Sequence, residues 1–429
     1  MRNRPCAVHL ASILFCLSLL TPRCAHAQGH ERTLHEFGGN CWEDDQNYNL
    51  ISGLVADSKG DLYGARACGA GLAQGDVFEI SYVPGGRWHY SIIYTFPNDG
   101  LGGVSPQSGL TIDKSGDLYG TTYLGGANDC GVVYELTPNS SGHWTETVLY
   151  NFGSLPQAAD GCNPLASVVF DHEGNLYGTT SEGGTVGPYG VAFELSPNSN
   201  GTWSENVLHN FGNPGQYGVG PNSSLVFDSS GNLYGTTPNG GQYTDGTVFE
   251  LSPTADGTWT QTLIHQFSGG SDGSSPYGVV FDSSGNLYGS AGGPVNTGGE
   301  VYRLSPDSDG GWSMTVLHTF PVPSNTAIGV PGRVSFNPKG ILYGPLDGGG
   351  ASPYEGCPQG CGAIFRLIPG LGTRWSYQRV YAFTGLLDGG VPMGPLIFDA
   401  EGNVYGTTLF GGDSNGADGD GTIFQITAQ

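Results

Sequence analysis

Basic residues are scarce in this 429-residue sequence, which has 14 Lys and Arg against 38 Asp and Glu and a formal net charge of −24. Such a surface repels phosphate backbones and anionic lipids. We therefore expect neither nucleic acid nor a membrane surface as a partner. Long apolar runs are also lacking after the first 27 residues, so no membrane span is expected.

The first 27 residues differ from the rest of the chain. Arg2 and Arg4 precede an apolar run over residues 7–20, and Ala25-His26-Ala27 follows it. This order is typical of a cleavable secretory signal peptide. Cleavage would leave residues 28–429 with 11 basic and 38 acidic residues. The sequence thus predicts a secreted or periplasmic protein.

Helical periodicity is lacking too, and a repeat takes its place. A core typified by Gly-Asn-Leu-Tyr-Gly recurs seven times, with its tyrosines at Tyr63, Tyr119, Tyr177, Tyr234, Tyr288, Tyr343 and Tyr405. The copy over residues 224–267 contains four β-rich runs, which we name strands A to D: 225–228, 232–237, 247–251 and 259–267. Repeats of four short strands predict the blades of a β-propeller.

The two ends of the repeat region complement one another. Residues 421–426 match a strand C with no strand D after it, whereas residues 33–37 match a strand D with nothing before it. Pairing these two segments would leave no open sheet edge. The predicted fold is an all-β, seven-bladed β-propeller of four-stranded blades, closed by an N-terminal outer strand, with residues 28–429 as one domain.

The succession of motifs within each copy also resembles a known family. Leu233-Tyr-Gly-Thr-Thr237, Gly240-Gly241, Gly246-Thr-Val-Phe-Glu-Leu251, Leu263-Ile-His-Gln-Phe267 and Asp272-Gly273 follow in order. This pattern is similar to the Gloeobacter and Verrucomicrobium tandem repeat, called GloVer, over residues 33–426. The sixth copy departs from it, with Asn337-Pro338-Lys339-Gly340-Ile341 in place of the usual Asp turn. The resemblance implies export and a propeller, and it implies no particular activity.

Cations are nearly absent from the loops that should share one face of the propeller, namely those from strand D to A and from B to C. These loops, of which 321–332 is one, contain no His or Lys, and Arg66 is their sole cation. A His-based triad or a His-bound zinc site therefore lacks its residues. We expect a site on this face to favour neutral polar or cationic ligands.

Aromatic residues are plentiful in the same loops, and flat rings beside polar groups suit sugar or peptide surfaces. We expect ligand contacts from Trp42, Tyr123, Tyr189, Tyr217, Tyr243, Tyr277 and Tyr354, among which Trp42, Tyr189 and Tyr243 should be needed for binding. The expected partner is a carbohydrate or another protein. The alternative interpretation is that these rings only fix the long loops in place.

Carboxylates in these loops offer oxygen ligands, which Ca²⁺ prefers. Asp413, Asp418 and Asp420 are the candidate metal ligands, although their segment misses the EF-hand pattern at Ala417 and Asp418. Calcium is the one candidate cofactor, and we expect no cofactor to be required. Three function classes stay open: an exported binding or interaction module, a carboxylate- or metal-dependent hydrolase or lyase, and a structural envelope protein without a small ligand. Binding is favoured over catalysis, and a monomer is expected.

Six cysteines remain after the signal segment, and an even number in an exported chain indicates disulfides. All six lie in the predicted D-to-A and B-to-C loops, where neighbouring loops meet. We expect the pairs Cys41 with Cys68, Cys130 with Cys162 and Cys357 with Cys361.

Overall fold

A computed structural model describes residues 29–38, 52–67, 74–83, 85–97, 99–293, 297–321, 331–350, 357, 360–370, 374–412 and 419–427. These residues form seven antiparallel four-stranded blades. Neighbouring blades contact one another through their outer and inner strands around a ring, in which the first blade also contacts the seventh. The predicted seven-bladed β-propeller is confirmed.

Strands A and B form the inner half of each blade. The innermost strands A are, in blade order, Val55–Ala56, Thr111–Ile112, Val169–Phe170, Val226–Phe227, Val279–Phe281, Ser335–Phe336 and Ile397–Phe398. Strands B are Leu62–Arg66, Leu118–Thr122, Leu176–Thr179, Leu233–Thr237, Leu287–Ala291, Leu342–Leu346 and Val404–Phe410.

Strands C and D form the outer half. Strands C are Asp76–Val83, Val132–Pro138, Val191–Pro197, Thr247–Pro253, Thr297–Pro306, Ala363–Pro369 and Thr422–Ile426. Strands D are Arg87–Thr95, Trp144–Asn151, Trp203–Asn210, Trp259–Gln266, Trp312–Pro321, Trp375–Ala382 and, for the seventh blade, Glu31–Glu36.

The N-terminal strand closes the ring, as the sequence predicted. Strand Glu31–Glu36 pairs antiparallel with Thr422–Ile426, from Glu31 opposite Ile426 to Glu36 opposite Thr422. The closure also has a packed interface, because Trp88 of blade one lies 6.0 Å from Tyr405 of blade seven, measured between ring centroids. Both backbone pairing and apolar packing therefore join the last blade to the first.

The turn from strand A to strand B depends on one side chain. In blade four, Asp228 Oδ1 accepts hydrogen bonds from the backbone amides of Ser230 at 2.8 Å and Asn232 at 2.9 Å. Blade six has Asn337 at this position, and its Oδ1 accepts from the amides of Lys339 and Ile341 at 3.0 and 2.9 Å. The sixth copy thus departs in sequence and keeps the turn geometry, since an amide oxygen accepts as a carboxylate oxygen does.

The repeated tyrosines lie between blades. Tyr177 is 6 % exposed, its hydroxyl donates to Glu194 at 3.1 Å, and its ring lies 6.2 Å from that of Trp259 in the next blade. The glycine after each tyrosine leaves room for an aromatic ring of strand C: a Cβ at Gly235 would lie 2.6 Å from Phe249 Cζ. Blade packing therefore accounts for the repeated Leu-Tyr-Gly core.

The long loops meet at one end of the propeller. Short antiparallel pairs join a D-to-A loop to a B-to-C loop in several blades: Gly103–Val104 with Leu124–Gly125, Gly218–Val219 with Asn239–Gly240, and Gly390–Pro392 with the end of Val404–Phe410. One 3-10 turn, Pro156–Ala158, lies in such a loop. These pairings place the two loop sets on one face, which we call the long-loop face.

Two disulfides stabilise this face. Cys130 is bonded to Cys162, which joins a B-to-C loop to the next D-to-A loop, and Cys357 is bonded to Cys361 within a single loop. Both pairings are those expected from the sequence. The third expected pair, Cys41 with Cys68, lies outside the described residues. In the described part of the chain, no helix is long and apolar enough to cross a bilayer.

Candidate functional site

A cavity of about 360 Å³ lies on the propeller axis and opens toward the long-loop face. All seven blades contribute to its wall through residues that come shortly before strand A, among them Ser52, Gln107, Ser167, Tyr277 and Met393. Pockets for small organic ligands measure roughly 300 to 1,000 Å³. The cavity is therefore large enough for a small ligand.

One aligned position of each repeat, directly before the buried Leu or Val at the start of strand A, forms a ring around the axis, which we call the axial ring. Its members are Gly53, Gly109, Ser167, Ser224, Gly278, Arg333 and Pro395. Neighbouring members lie in contact, since a Cβ at Gly53 would be 2.5 Å from Pro395 Cγ and one at Gly109 would be 2.8 Å from Ser167 Oγ. Six members are small, so Arg333 is the one long side chain of the axial ring.

Arg333 reaches across one blade to a second. Its Nη1 atom donates to Ser224 Oγ at 3.2 Å, from blade six to blade four. The side chain crosses blade five at Gly278, where a Cβ would lie 3.1 Å from Arg333 Nε. Gly278 also has a φ of +76°, a conformation that L side chains rarely adopt. A glycine at this position therefore both makes the turn and leaves room for the guanidinium.

The electrostatics of Arg333 differ from those of the second arginine on this face. Burial lowers the pKa of the Arg333 guanidinium, and among the described residues no carboxylate forms an ion pair with it. Arg66, by contrast, is held by a buried Asp76, whose Oδ1 accepts from Arg66 Nε at 2.9 Å. Arg66 is therefore paired with a carboxylate, whereas the positive charge and N–H donors of Arg333 can interact with a ligand inside the cavity.

The rest of the cavity wall is mainly neutral. Gln107 and Asn222 present amide groups, Ser167 presents a hydroxyl, and Tyr277 and Met393 present larger surfaces at the mouth. The Tyr277 side chain is 37 % exposed, and partial burial raises the pKa of its hydroxyl, with the Asp347 carboxylate adding to this effect. Tyr277 thus keeps its proton at neutral pH and can donate a hydrogen bond.

The aromatic residues predicted as ligand contacts do not come together. Tyr277 lines the cavity, whereas Tyr189 packs against the core between blades three and four. Tyr217 and Tyr243 are exposed on adjacent loops of blade four, and Tyr123 lies part-buried in a loop of blade two. Trp42 and Tyr354 lie outside the described residues. Of the described candidates, Tyr277 is thus the one at the channel mouth.

The cavity wall includes a cation, Arg333, that lies outside the loops in which Arg66 is the sole cation. Arg333 lies one residue past the loop 321–332, where the sequence suggests that strand A begins, and the chain there still faces the axis. A signal was present in the repeat: the aligned position holds Gly, Ser or Pro in six copies and Arg in one. A residue that does not recur from blade to blade is not required by the blade fold.

Several loop carboxylates have structural partners. Asp160 accepts a hydrogen bond from the Tyr150 hydroxyl at 2.9 Å, and Asp388 accepts one from the Tyr381 hydroxyl at 2.9 Å. Asp272 lies 3.2 Å from Nε2 of His265. Each of these aspartates therefore holds a D-to-A loop against the strand D that precedes it.

The four repeated strand D histidines pack edge-on against the phenylalanine two residues later, as His209 does against Phe211 at 4.9 Å between centroids. Burial lowers the pKa of His35 and of His209 to about 4, and the Arg66 charge adds to the shift at His35. These two side chains are therefore neutral at physiological pH. Their contacts indicate a structural role.

Two of the three calcium candidates lie outside the described residues. Asp420 is buried beside the junction of blades seven and one, whereas Asp413 and Asp418 lie outside the described residues. Within the described ranges, no group of three or more His, Cys, Asp or Glu side chains has an arrangement suited to a metal ion. Calcium binding by Asp413, Asp418 and Asp420 stays a prediction.

Comparisons with known proteins give a family and a fold. A family model described as the Gloeobacter/Verrucomicrobia repeat matches residues 24–213, 157–356 and 260–429. An ancestral GH74 enzyme is similar with a TM-score of 0.54 and 11 % identity over 93 % of this chain and 51 % of that enzyme, so the chain spans about half its length. A luciferin-regenerating enzyme is similar with a TM-score of 0.43 and 15 % identity, over 85 % and 99 % of the two chains. No curated protein matches the sequence.

Proposed function

The chain belongs to the Gloeobacter/Verrucomicrobia repeat family, and we propose that it is an exported binding protein that holds a sugar in the mouth of its central channel. The observation that carries this proposal is the cavity of about 360 Å³ to which all seven blades contribute. Its wall consists of residues that differ from blade to blade, and rigid scaffolds carry binding residues at such variable positions.

The chemistry of the wall suits a sugar. Gln107 and Asn222 each combine an amide donor with a carbonyl acceptor, and Ser167 adds a hydroxyl. Sugar hydroxyls donate and accept in the same way. The exposed ring of Tyr277 offers a flat apolar surface for the C–H face of a pyranose. The two disulfides on the long-loop face fit a protein of an oxidising compartment.

Binding has more support than hydrolysis. Glycoside hydrolysis ordinarily needs two carboxyl groups on either side of the scissile bond. The described wall of the cavity contains no Asp, Glu or His. The similarity to the GH74 enzyme, at 11 % identity, bears on the fold alone.

A glycan array followed by calorimetric titration of each positive sugar tests the proposal. We expect Tyr277→Ala to weaken binding at least fivefold, because the ring lines the cavity. Tyr243→Ala is the matched control, since Tyr243 is 50 % exposed on the long-loop face but outside the cavity wall. Absence of any bound glycan, or equal losses in both variants, would show that the proposal is wrong.

A further inference from the structure

Arg333 stands out because the fold does not require it. The six other members of the axial ring are Gly, Ser or Pro, and those blades close around the channel with small residues. A long cationic side chain on the axis also opposes ordinary burial preferences, since removing a charge from water without a partner is costly. The repeated blade fold therefore accounts for the small residues of the axial ring, but it does not account for Arg333.

The geometry leaves most of the guanidinium available. Ser224 is its hydrogen-bond partner among the described residues, through Nη1 alone. A guanidinium has five N–H donors in a planar fork, which matches the two oxygens of a carboxylate. The Gly278 backbone lies against the side chain, since a Cβ there would approach Nε to 3.1 Å. The fork thus lies beside the backbone of blade five with unused donors inside a polar cavity.

The charge of the whole protein limits which anions can reach this site. Residues 28–429 carry 11 basic and 38 acidic side chains, so long-range repulsion opposes polyanions. Within the cavity, where the described wall has no carboxylate, a single negative charge meets Arg333 with little competition. This combination favours a small ligand with one carboxylate over a nucleotide or a polysulfated chain.

We infer that the ligand carries a carboxylate that binds the Arg333 guanidinium, which makes the preferred sugar a uronic acid. The choice of a sugar rests on the proposed function, whereas the carboxylate anchor rests on Arg333 itself. Gln107, Asn222 and Tyr277 contact the hydroxyl-bearing part of the same ligand.

The test is a calorimetric titration with D-glucuronate and with its neutral methyl ester, which differ only at the carboxyl group. Wild-type protein is expected to bind the acid at least tenfold more tightly than the ester. Arg333→Gln should remove this preference, and Arg333→Lys should restore only part of it because lysine lacks the fork. Arg374→Gln is the control, since Arg374 is an exposed arginine of the same blade and its loss changes the net charge equally.

Two further ligands test whether the anion is a phosphate or is the carboxylate of a peptide. D-glucose 1-phosphate carries a phosphate on a sugar, and N-acetyl-alanyl-alanine carries a carboxylate on a peptide. Both should bind more weakly than D-glucuronate. Tighter binding of D-glucose 1-phosphate would show that the preferred anion is a phosphate and not a carboxylate. Tighter binding of the peptide would show that the ligand is not a sugar, and would leave the contact between Arg333 and a carboxylate in place.

The remaining outcomes distinguish this inference from the proposed function. Equal affinity for acid and ester would overturn the carboxylate anchor and leave sugar binding intact. A preference for the acid that survives Arg333→Gln would place the anion elsewhere. Binding of none of the four compounds would contradict the uronic acid inference, whereas the glycan array decides the proposed function. Melting of Arg333→Gln at or above the wild-type temperature will show that any loss of binding is not a loss of fold.

Discussion

Arg333 Nη1 and Ser224 Oγ lie 3.2 Å apart and join the sixth blade to the fourth across the inner edge of the fifth. The contact depends on Gly278 of the intervening blade, over which the side chain passes. A hydrogen bond between blades that are not neighbours requires a side chain on the axis itself. This contact therefore locates the guanidinium in the channel.

Gly278→Ala tests whether this position serves the guanidinium. The new Cβ would lie 3.1 Å from Arg333 Nε, so we expect Arg333 to shift and D-glucuronate affinity to fall at least threefold. Gly285→Ala is the matched control: its φ of +82° resembles the +76° of Gly278, but nothing lies within 4 Å of its Cβ. Both variants should lose about 1 kcal/mol of stability. Equal binding by the two variants would contradict this role of Gly278.

Ring closure predicts a strong effect of the N-terminal strand. Deletion of residues 28–38 removes strand Glu31–Glu36 and the buried Phe37, and so exposes the edge of Thr422–Ile426. We expect aggregation or a much lower melting temperature by light scattering and calorimetry. The chain that lacks only residues 1–27 is the control. A monomeric deletion variant with an unchanged melting temperature would show that closure is dispensable.

The two disulfides should contribute unequally. Cys130–Cys162 spans 32 residues and Cys357–Cys361 spans 4. Because loop-closure entropy grows with loop length, replacing the first pair by serine should cost about 3 to 4 kcal/mol and replacing the second about 2 kcal/mol. Denaturant unfolding of the two double variants measures both values. A larger loss from the short loop would contradict the entropic account.

Glu205 predicts a pH dependence of stability. Burial, with a smaller effect of Asp160, raises the pKa of Glu205 to about 8, and its Oε1 has no hydrogen-bond partner among the described residues. The unfolded chain releases this proton near pH 4.3. The folded state therefore binds more protons between about pH 4 and 8, and stability falls as pH rises through that window.

Glu205→Gln removes this penalty. We expect it to raise the free energy of unfolding by about 1 to 3 kcal/mol at pH 9 and to change it little at pH 5. Glu173→Gln, at an exposed residue of an A-to-B turn, is the control for the lost charge. Urea unfolding at both pH values makes the measurement. The same gain at pH 5 as at pH 9 would show that ionisation is not the cause.

The fold could be predicted from the sequence because it depends on repetition. The seven tyrosines gave the number of blades, and the matching of residues 33–37 to strand D gave the closure that pairs Glu31 with Ile426. The Asp228 turn was also predictable, since its geometry is local. The repeat supplied the blade number and the closure, whereas the turn follows from a short segment whose conformation does not depend on distant residues.

The site was less predictable because its position depends on how individual loops meet the axis. Tyr277 and Tyr243 are both tyrosines of long loops, yet one lines the cavity and the other is exposed beyond it. Arg333 was missed because the predicted loop ends at residue 332, two residues short of the true end of the loop before strand Ser335–Phe336. Comparison of the seven repeats at that single position would have revealed it. The burial of Glu205 depends on contact between blades, which the sequence of one blade does not show.

A crystal structure of the protein soaked with D-glucuronate tests most directly whether the channel mouth is the ligand site. We expect density for the sugar in the cavity on the propeller axis, with its carboxylate within hydrogen-bond distance of Arg333 and its ring beside Tyr277. Density on the face opposite the long-loop face, or only on the outer loops, with the cavity free of ligand at saturating concentration, would show that the channel mouth is not the site.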